Sequence, residues 1–216
     1  MKSIKCVIFD VDGTLARTNQ LILESFNFIT AKYLNRTYRF EEITKMFGPP
    51  EEVALENLLG VNYSDEVFKE FLTFYKKHHK KLASLYPGIK DVLIFLRNNG
   101  IILSVFTGKG KNSTLITLEE LEIKDFFDMI VTGNDVINHK PAGEGINKIL
   151  DCFGMGKDNV IMIGDSVSDV KAAKEAKIKF GAALWDSYSK EKVLLEDVDY
   201  VFENIEQLKI FLKNNI

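Results

Sequence analysis

Cysteine, tryptophan and proline are scarce in this chain: two, one and four among 216 residues. Two isolated thiols, Cys6 and Cys152, exclude a disulfide scaffold and fit a reducing compartment. Excess charge is lacking as well. A net charge of −3 offers no global attraction for nucleic acid, so a DNA- or RNA-binding role has little support. No apolar run approaches the roughly 20 residues that span a bilayer. Met1-Lys2-Ser3-Ile4-Lys5 runs straight into an apolar stretch, leaving no room for a secretory leader. A cytoplasmic protein without membrane or nucleic-acid partners is expected. Repeats and low-complexity segments are also absent. What remains is ordinary globular material, and its length suffices for one large core or for a core with a small inserted domain.

The organising stretch is Cys6-Val7-Ile8-Phe9-Asp10-Val11-Asp12-Gly13-Thr14-Leu15. Four apolar residues bounded by acids and a glycine read as a buried strand ending in a tight loop. Ligands of open α/β sheets gather outside the carboxyl ends of strands, where Asp10 and Asp12 would stand. Two close carboxylates there suit a hard cation and a nucleophile–acid pair, although Asp-x-Asp-Gly also occurs in ordinary turns and calcium loops.

Residues 16–85 carry helical periodicity. Thr18-Asn19 would cap a first helix, Phe40–Phe47 is a short amphipathic piece, and Gly48-Pro49-Pro50 leads into a helix begun by Glu51-Glu52. Ser64-Asp65-Glu66 opens a long helix whose Lys76-Lys77-His78-His79-Lys80-Lys81 end reads as a solvated face. From Gly88 onward strands and helices alternate, the signature of a parallel sheet covered on both faces. The fold class expected is therefore α/β. Its doubly wound, Rossmann-like parallel sheet forms a core of residues 1–15 and 86–216, with an inserted all-helical cap of residues 16–85.

Polar groups stand at four strand ends: Asp10 with Asp12, Thr107, the loop bearing Lys140, and Asp165 with Asp169. Carboxylates without a His/Cys cluster favour Mg²⁺ over zinc. Thr107 with Gly108-Lys109-Gly110 at a helix start makes an anion site. A cation beside an anion site, with a free carboxylate between them, is what phosphoryl transfer requires.

Asp10-Val11-Asp12-Gly13-Thr14-Leu15, Thr107-Gly108, Lys140-Pro141 and Gly164-Asp165-Ser166-Val167-Ser168-Asp169 resemble the four ordered motifs of the haloacid dehalogenase-like superfamily. The likeness is to its phosphoglycolate phosphatase-like branch with a helical cap, and it extends over essentially the whole chain. It implies that Asp10 is the nucleophile, forming an aspartyl-phosphate, and that Asp12 is general acid and then general base. Thr107, Gly108, Lys109 and Lys140 would bind the phosphoryl oxygens. Asp10, Asp165 and the backbone carbonyl of Asp12 would hold Mg²⁺, while Asp169 would orient Lys140 or a water on the metal. Two departures from the usual pattern, Ala142-Gly143-Glu144 after Lys140-Pro141 and Lys177 in place of a glycine, concern loop geometry.

The function implied is a Mg²⁺-dependent phosphatase of a small soluble phosphomonoester: phosphoglycolate-like, a sugar phosphate or a nucleotide. Pyrophosphate hydrolysis, phosphosugar mutation and phospho-ligand binding without turnover are the alternatives; a metal-independent dehalogenase is disfavoured by Asp12 and Asp165. Phe47, Gly48 and Pro49 resemble the specificity loop of capped relatives, and Arg17 or Asn19 could reach the leaving group or cap a helix. Lys111 could meet phosphate or water. His139 reads as structural, and Ser168 as a helix cap.

Overall fold

The apolar run that opens the chain forms β1 (Cys6–Phe9), with all four residues buried. The computed structural model describes residues 3–216, so the expectation for Met1 and Lys2 lies outside the described residues. After β1 the chain makes a two-residue strand, β2 (Ala16–Arg17), and then the helices α1 (Asn19–Leu34), α2 (Phe40–Ile43), α3 (Glu51–Leu59) and α4 (Asp65–Leu82). It returns through β3 (Ser84–Leu85), which pairs antiparallel with β2 so that Ala16 faces Leu85 and Arg17 faces Ser84. This ribbon, where helix had been expected, ties together the exit and return of the helical insert. Two residues carry no period-2 signal, so only the tertiary pairing defines it.

The alternating segment then supplies α5 (Ile89–Asn98), β4 (Ile102–Phe106), α6 (Lys111–Glu120), β5 (Met129–Val131), α7 (Glu144–Phe153), β6 (Val160–Gly164) and α8 (Val167–Ala176). The chain closes with β7 (Lys179–Ala183), α9 (Lys190–Leu194), β8 (Tyr200–Phe202) and α10 (Ile205–Asn215). The six long-range strands form one parallel sheet in the order β5-β4-β1-β6-β7-β8. β1 lies at the centre, with Phe9 level with Val105 on one side and Ile163 on the other. Strand order reverses at β1, and a crevice opens at such a switch point.

Alternation along β1 divides the core into two layers. Val7 and Phe9 pack with Val92 and Leu96 of α5 and Leu208 of α10. Cys6 and Ile8 pack with Ile146 and Ile149 of α7 and Val170 of α8. The cap has its own apolar centre, in which Leu21 and Phe26 of α1 meet Leu55 of α3 and Phe71 of α4. Tyr75 extends that centre to the core domain, its hydroxyl hydrogen-bonded with that of Thr117 at 2.8 Å.

Two local expectations need correction. His79 is fully buried and does not lie on a solvated face. Val67, Phe71, Tyr75 and His79 recur every four residues, so His79 shares the inward stripe of α4 despite its lysine neighbours. The helix after β6 is capped by Ser166 and not by Ser168: Ser166 Oγ accepts from Asp169 N while the Asp169 carboxylate accepts from Ser166 N. Lys177, where a glycine was the usual residue, takes a left-handed conformation with φ of 60°. No helix among the described residues is long and apolar enough to cross a membrane.

Burial predicts where substitution will hurt. Leu103→Ala, inside β4 and fully buried, should lower unfolding free energy by about 2–5 kcal/mol. Val201→Ala on the exposed side of edge strand β8 should cost less than about 1 kcal/mol. Urea titration of both variants checks the difference.

Candidate active site

The carboxyl ends of β1, β4 and β6 bring Asp10, Thr107 and Asp165 to one rim, because parallel strands paired in register end together. Residues 132–143 add Lys140, and the first turn of α8 adds Asp169. A cavity of about 100 Å³ lies between this rim and the cap; it is lined by Asp10, Asp12, Thr107, Gly108, Lys109, Lys140, Asp165 and Asp169. Phe47, Gly48, Pro49 and Asn19 line it from the cap side.

Lys140 is buried between two acids. Its Nζ donates to Asp10 Oδ1 at 2.8 Å and Asp169 Oδ1 at 2.6 Å, and it sits 4.7 Å from the centre of the Phe106 ring. Burial works against its charge, but Asp10 and Asp169 outweigh that effect and hold its pKa above the usual lysine value. The other oxygen of Asp169 accepts from Ser166 N and Oγ, so the helix cap also orients the lysine's partner. Glu144, one of the departures after Lys140-Pro141, accepts from the N–H groups of Ile137 and Asn138 and pins the loop that delivers Lys140.

The acids show why a cation fits. Burial raises the Asp10 carboxyl to about 7, with Lys140 opposing and Asp169 and Asp12 adding to the rise. Burial, reinforced by Asp169 and Asp10, pushes Asp165 well above the ordinary carboxylate range. Oxygens of Asp10, Asp165 and Asp169 lie within 4.8 Å of one another. Asp165 Oδ2 is buried without a hydrogen-bond partner. An orphaned buried oxygen within an all-oxygen group is the donor set that a hard dication satisfies. Gly13, at φ of 81°, makes room for it: a Cβ there would lie 2.4 Å from Asp165 Oδ2.

Asp12 faces the cap. The Thr18 hydroxyl donates to its Oδ1 at 2.5 Å, so Thr18 serves the acid and its side chain does not cap α1. Lys109 Nζ lies 3.3 Å from Asp12 Oδ2 and 3.2 Å from Glu51 Oε1. Burial again opposes the ammonium, and Asp12, Tyr75 and Glu51 raise its pKa well above the usual value. Glu51 also accepts from Gly110 N at 2.6 Å and Ser113 Oγ at 2.7 Å.

This changes the expected anion site. Lys109 is committed to two carboxylates, its N–H donates to Thr107 Oγ1, and the Gly110 N–H is taken by Glu51. Thr107 and Gly108 remain on the cavity wall. Lys111 pairs with Asp135 at 3.5 Å and does not line the cavity. Arg17 is not brought to the site. It lies 3.4 Å from Asp186 and over the Tyr86 ring, because the β2–β3 ribbon directs it to another surface hollow. His139 does not line the cavity either.

Two contributors escaped sequence reasoning. Glu51 had been sufficiently explained as an acid in the first turn of α3, and nothing local signals that it crosses to the core domain. Tyr188 lies beyond the carboxyl end of β7, and the rule about strand ends could have flagged it. Its loop is held by Ser187 and Ser189, whose hydroxyls donate to the Asp165 carbonyl. Its ring meets Phe40 and Phe47 of the cap edge to face, with centroids 6.0 and 6.1 Å away.

Known proteins resemble this chain over nearly its whole length. A pyrophosphatase PpaX from Halalkalibacterium halodurans is 31% identical over 209 residues, covering 95% of both chains. One from Anoxybacillus flavithermus is 29% identical over 206 residues, again covering 95% of each. Among solved structures, one described as a predicted phosphoglycolate phosphatase from Haemophilus somnus superposes with a TM-score of 0.83 at 22% identity, over 98% of this chain and 99% of that one. CbbY from Rhodobacter sphaeroides, solved in complex with phosphate, superposes with a TM-score of 0.80 at 19% identity, over 95% and 96%. At such identities the two structures speak for the fold alone. The haloacid dehalogenase-like hydrolase family profile matches residues 7–183, from β1 to the end of β7, and this chain belongs to that family.

Proposed function

We propose that the chain is a Mg²⁺-dependent phosphatase acting in the cytoplasm on a small soluble phosphomonoester. The observation that carries this reading is the buried Lys140 bridging Asp10 and Asp169 beside the orphaned oxygen of Asp165. Asp10, Asp165 and the backbone carbonyl of Asp12 would hold the cation, with Asp169 close by. Bound there, the ion would neutralise phosphoryl charge and keep the buried acids ionised.

The protein's own groups account for the remaining chemistry. Lys140 and the Thr107 hydroxyl grip phosphoryl oxygens and orient phosphorus toward Asp10. An Asp10 oxygen attacks phosphorus as the ester P–O bond breaks, and protonated Asp12 gives its proton to the leaving oxygen. Asp12, now a carboxylate, takes a proton from water as the water oxygen attacks the aspartyl-phosphate; this frees Asp10 and inorganic phosphate. Thr18 and Lys109 hold the Asp12 carboxyl in place through both steps. The docked cap limits bulk water and favours metabolite-sized substrates over folded phosphoproteins.

The names of the curated relatives favour a second reading, pyrophosphate hydrolysis. It uses the same nucleophile and acid, with phosphate in place of an alcohol as leaving group.

Asp10→Asn and Asp12→Asn should each lower kcat/KM for phosphate release by at least about a hundredfold while circular dichroism still reports a folded chain. Near-normal turnover by Asp10→Asn would exclude the covalent route. Because the metal-free acids hold protons up to about pH 7 at Asp10 and higher than usual at Asp165, Mg²⁺ must displace protons to bind. Calorimetric titration should therefore show Mg²⁺ affinity weakening as pH falls below 7, with proton release on binding. Affinity independent of pH between 5 and 8, taken as about the range spanning that value, would contradict this.

A further inference from the structure

The cap side of the cavity is chemically one-sided. Ile22 and Phe26 of α1, Met46, Phe47 and Ala54 of α3 present apolar surface, Asn19 adds one amide, and Glu51 adds a carboxylate. Among the described residues no lysine or arginine of the cap lines the cavity. On the core side both lysines are committed, Lys140 to Asp10 and Asp169 and Lys109 to Asp12 and Glu51. Five lining carboxyl groups face those two lysines; with one dication bound and Asp12 carrying the proton it donates, the formal charges only cancel. The transferred phosphoryl group itself therefore uses all the positive charge the site has.

A second anion on the substrate would need its own donors. The cradle suited to it consists of Lys109 Nζ, the Gly110 N–H and the Ser113 hydroxyl, and Glu51 already fills it, with contacts of 3.2, 2.6 and 2.7 Å. Glu51 is buried there at the start of α6, so its charge is poorly screened from anything else in the cavity.

Resting on the phosphatase reading above, we propose that the site takes phosphomonoesters whose leaving group is an uncharged alcohol, and that Glu51 is the specificity residue that rejects anionic leaving groups. The apolar walls bury the carbon skeleton of the alcohol, and the Asn19 amide offers a partner to a hydroxyl. An anionic leaving group, such as phosphate from pyrophosphate or the carboxylate-bearing alcohol of phosphoglycolate, must displace Glu51 from two hydrogen-bond donors and an ion pair, or share Lys109 with a like charge. Both alternatives disfavour it.

The test is phosphate release by the full chain with Mg²⁺ from four compounds: glycerol phosphate, p-nitrophenyl phosphate, pyrophosphate and phosphoglycolate. The better of the two substrates with uncharged leaving groups should exceed both anionic ones in kcat/KM by at least about tenfold. Glu51→Gln keeps the shape and removes the charge, and should shift that ratio toward the anionic pair by about tenfold or more, chiefly through a lower KM. Glu51→Asp should retain the wild-type order. Pyrophosphate or phosphoglycolate turned over by the wild type as efficiently as the other two would overturn the assignment, as would a ratio unmoved in Glu51→Gln. If Glu51→Gln does not fold, the wild-type ranking still decides. No release from any of the four compounds would sink the phosphatase reading itself, and this inference with it.

Discussion

Buried charge at the mouth of a parallel sheet is the constraint on which the rest of this molecule depends. The crevice at the switch point between β4, β1 and β6 collects acids, and covering it removes the water that would otherwise solvate them. The chain answers with two lysines, each lodged between two carboxylates. Lys140 joins Asp10 to Asp169 within the core domain, whereas Lys109 joins Asp12 of the core to Glu51 of the cap. Removing one partner of a buried pair typically costs about 3–5 kcal/mol because the survivor is stranded. Docking of the cap and ionisation of the rim therefore support one another: Glu51 helps balance Lys109 only while α3 is seated on α6.

The same constraint explains the polarity of the surrounding elements. The helix that follows β6 is capped by Ser166, and the capping partner is Asp169, whose remaining oxygen holds Lys140. One carboxylate thereby serves helix initiation and charge balance. The serines after β7 donate to the Asp165 carbonyl and so fix the loop carrying Tyr188 to the acid it overlooks. Desolvation and the nearby acids raise the Tyr188 phenol well above its ordinary range, which keeps it neutral beside them.

Legibility in the sequence followed the locality of each signal. The six core strands were readable because each is a short apolar run bounded by turn residues. Asp10, Thr107, Lys140 and Asp165 were readable because each stands just past a strand or in a short ordered motif. The β2–β3 ribbon was not, since two residues have no period. His79 was misread because lysines flank it, although its four-residue spacing from Tyr75 marks the buried stripe. Lys109 was read as a phosphate ligand because its motif is local, whereas its partner Glu51 is 58 positions away by their numbers and belongs to the cap. A pairing of that kind leaves no local pattern.

This division also separates reaction from specificity. The groups that would break the P–O bond come from strand ends whose positions the sheet imposes, and the fold that contains that sheet is shared with proteins bearing quite different names. The leaving-group wall comes from two stretches of the cap well separated in sequence: α1, and the Phe47-Gly48-Pro49 loop that runs through Pro50 into the start of α3. Such a wall can change its charge through one residue while the sheet and its rim stay as they are. In this chain that residue is Glu51, and it is not free to vary for specificity alone. The same carboxylate accepts from the Gly110 N–H just before α6 and from the Ser113 hydroxyl, balances Lys109 and seats the cap, so a change that admitted a second anion would also loosen the joint that closes the cavity.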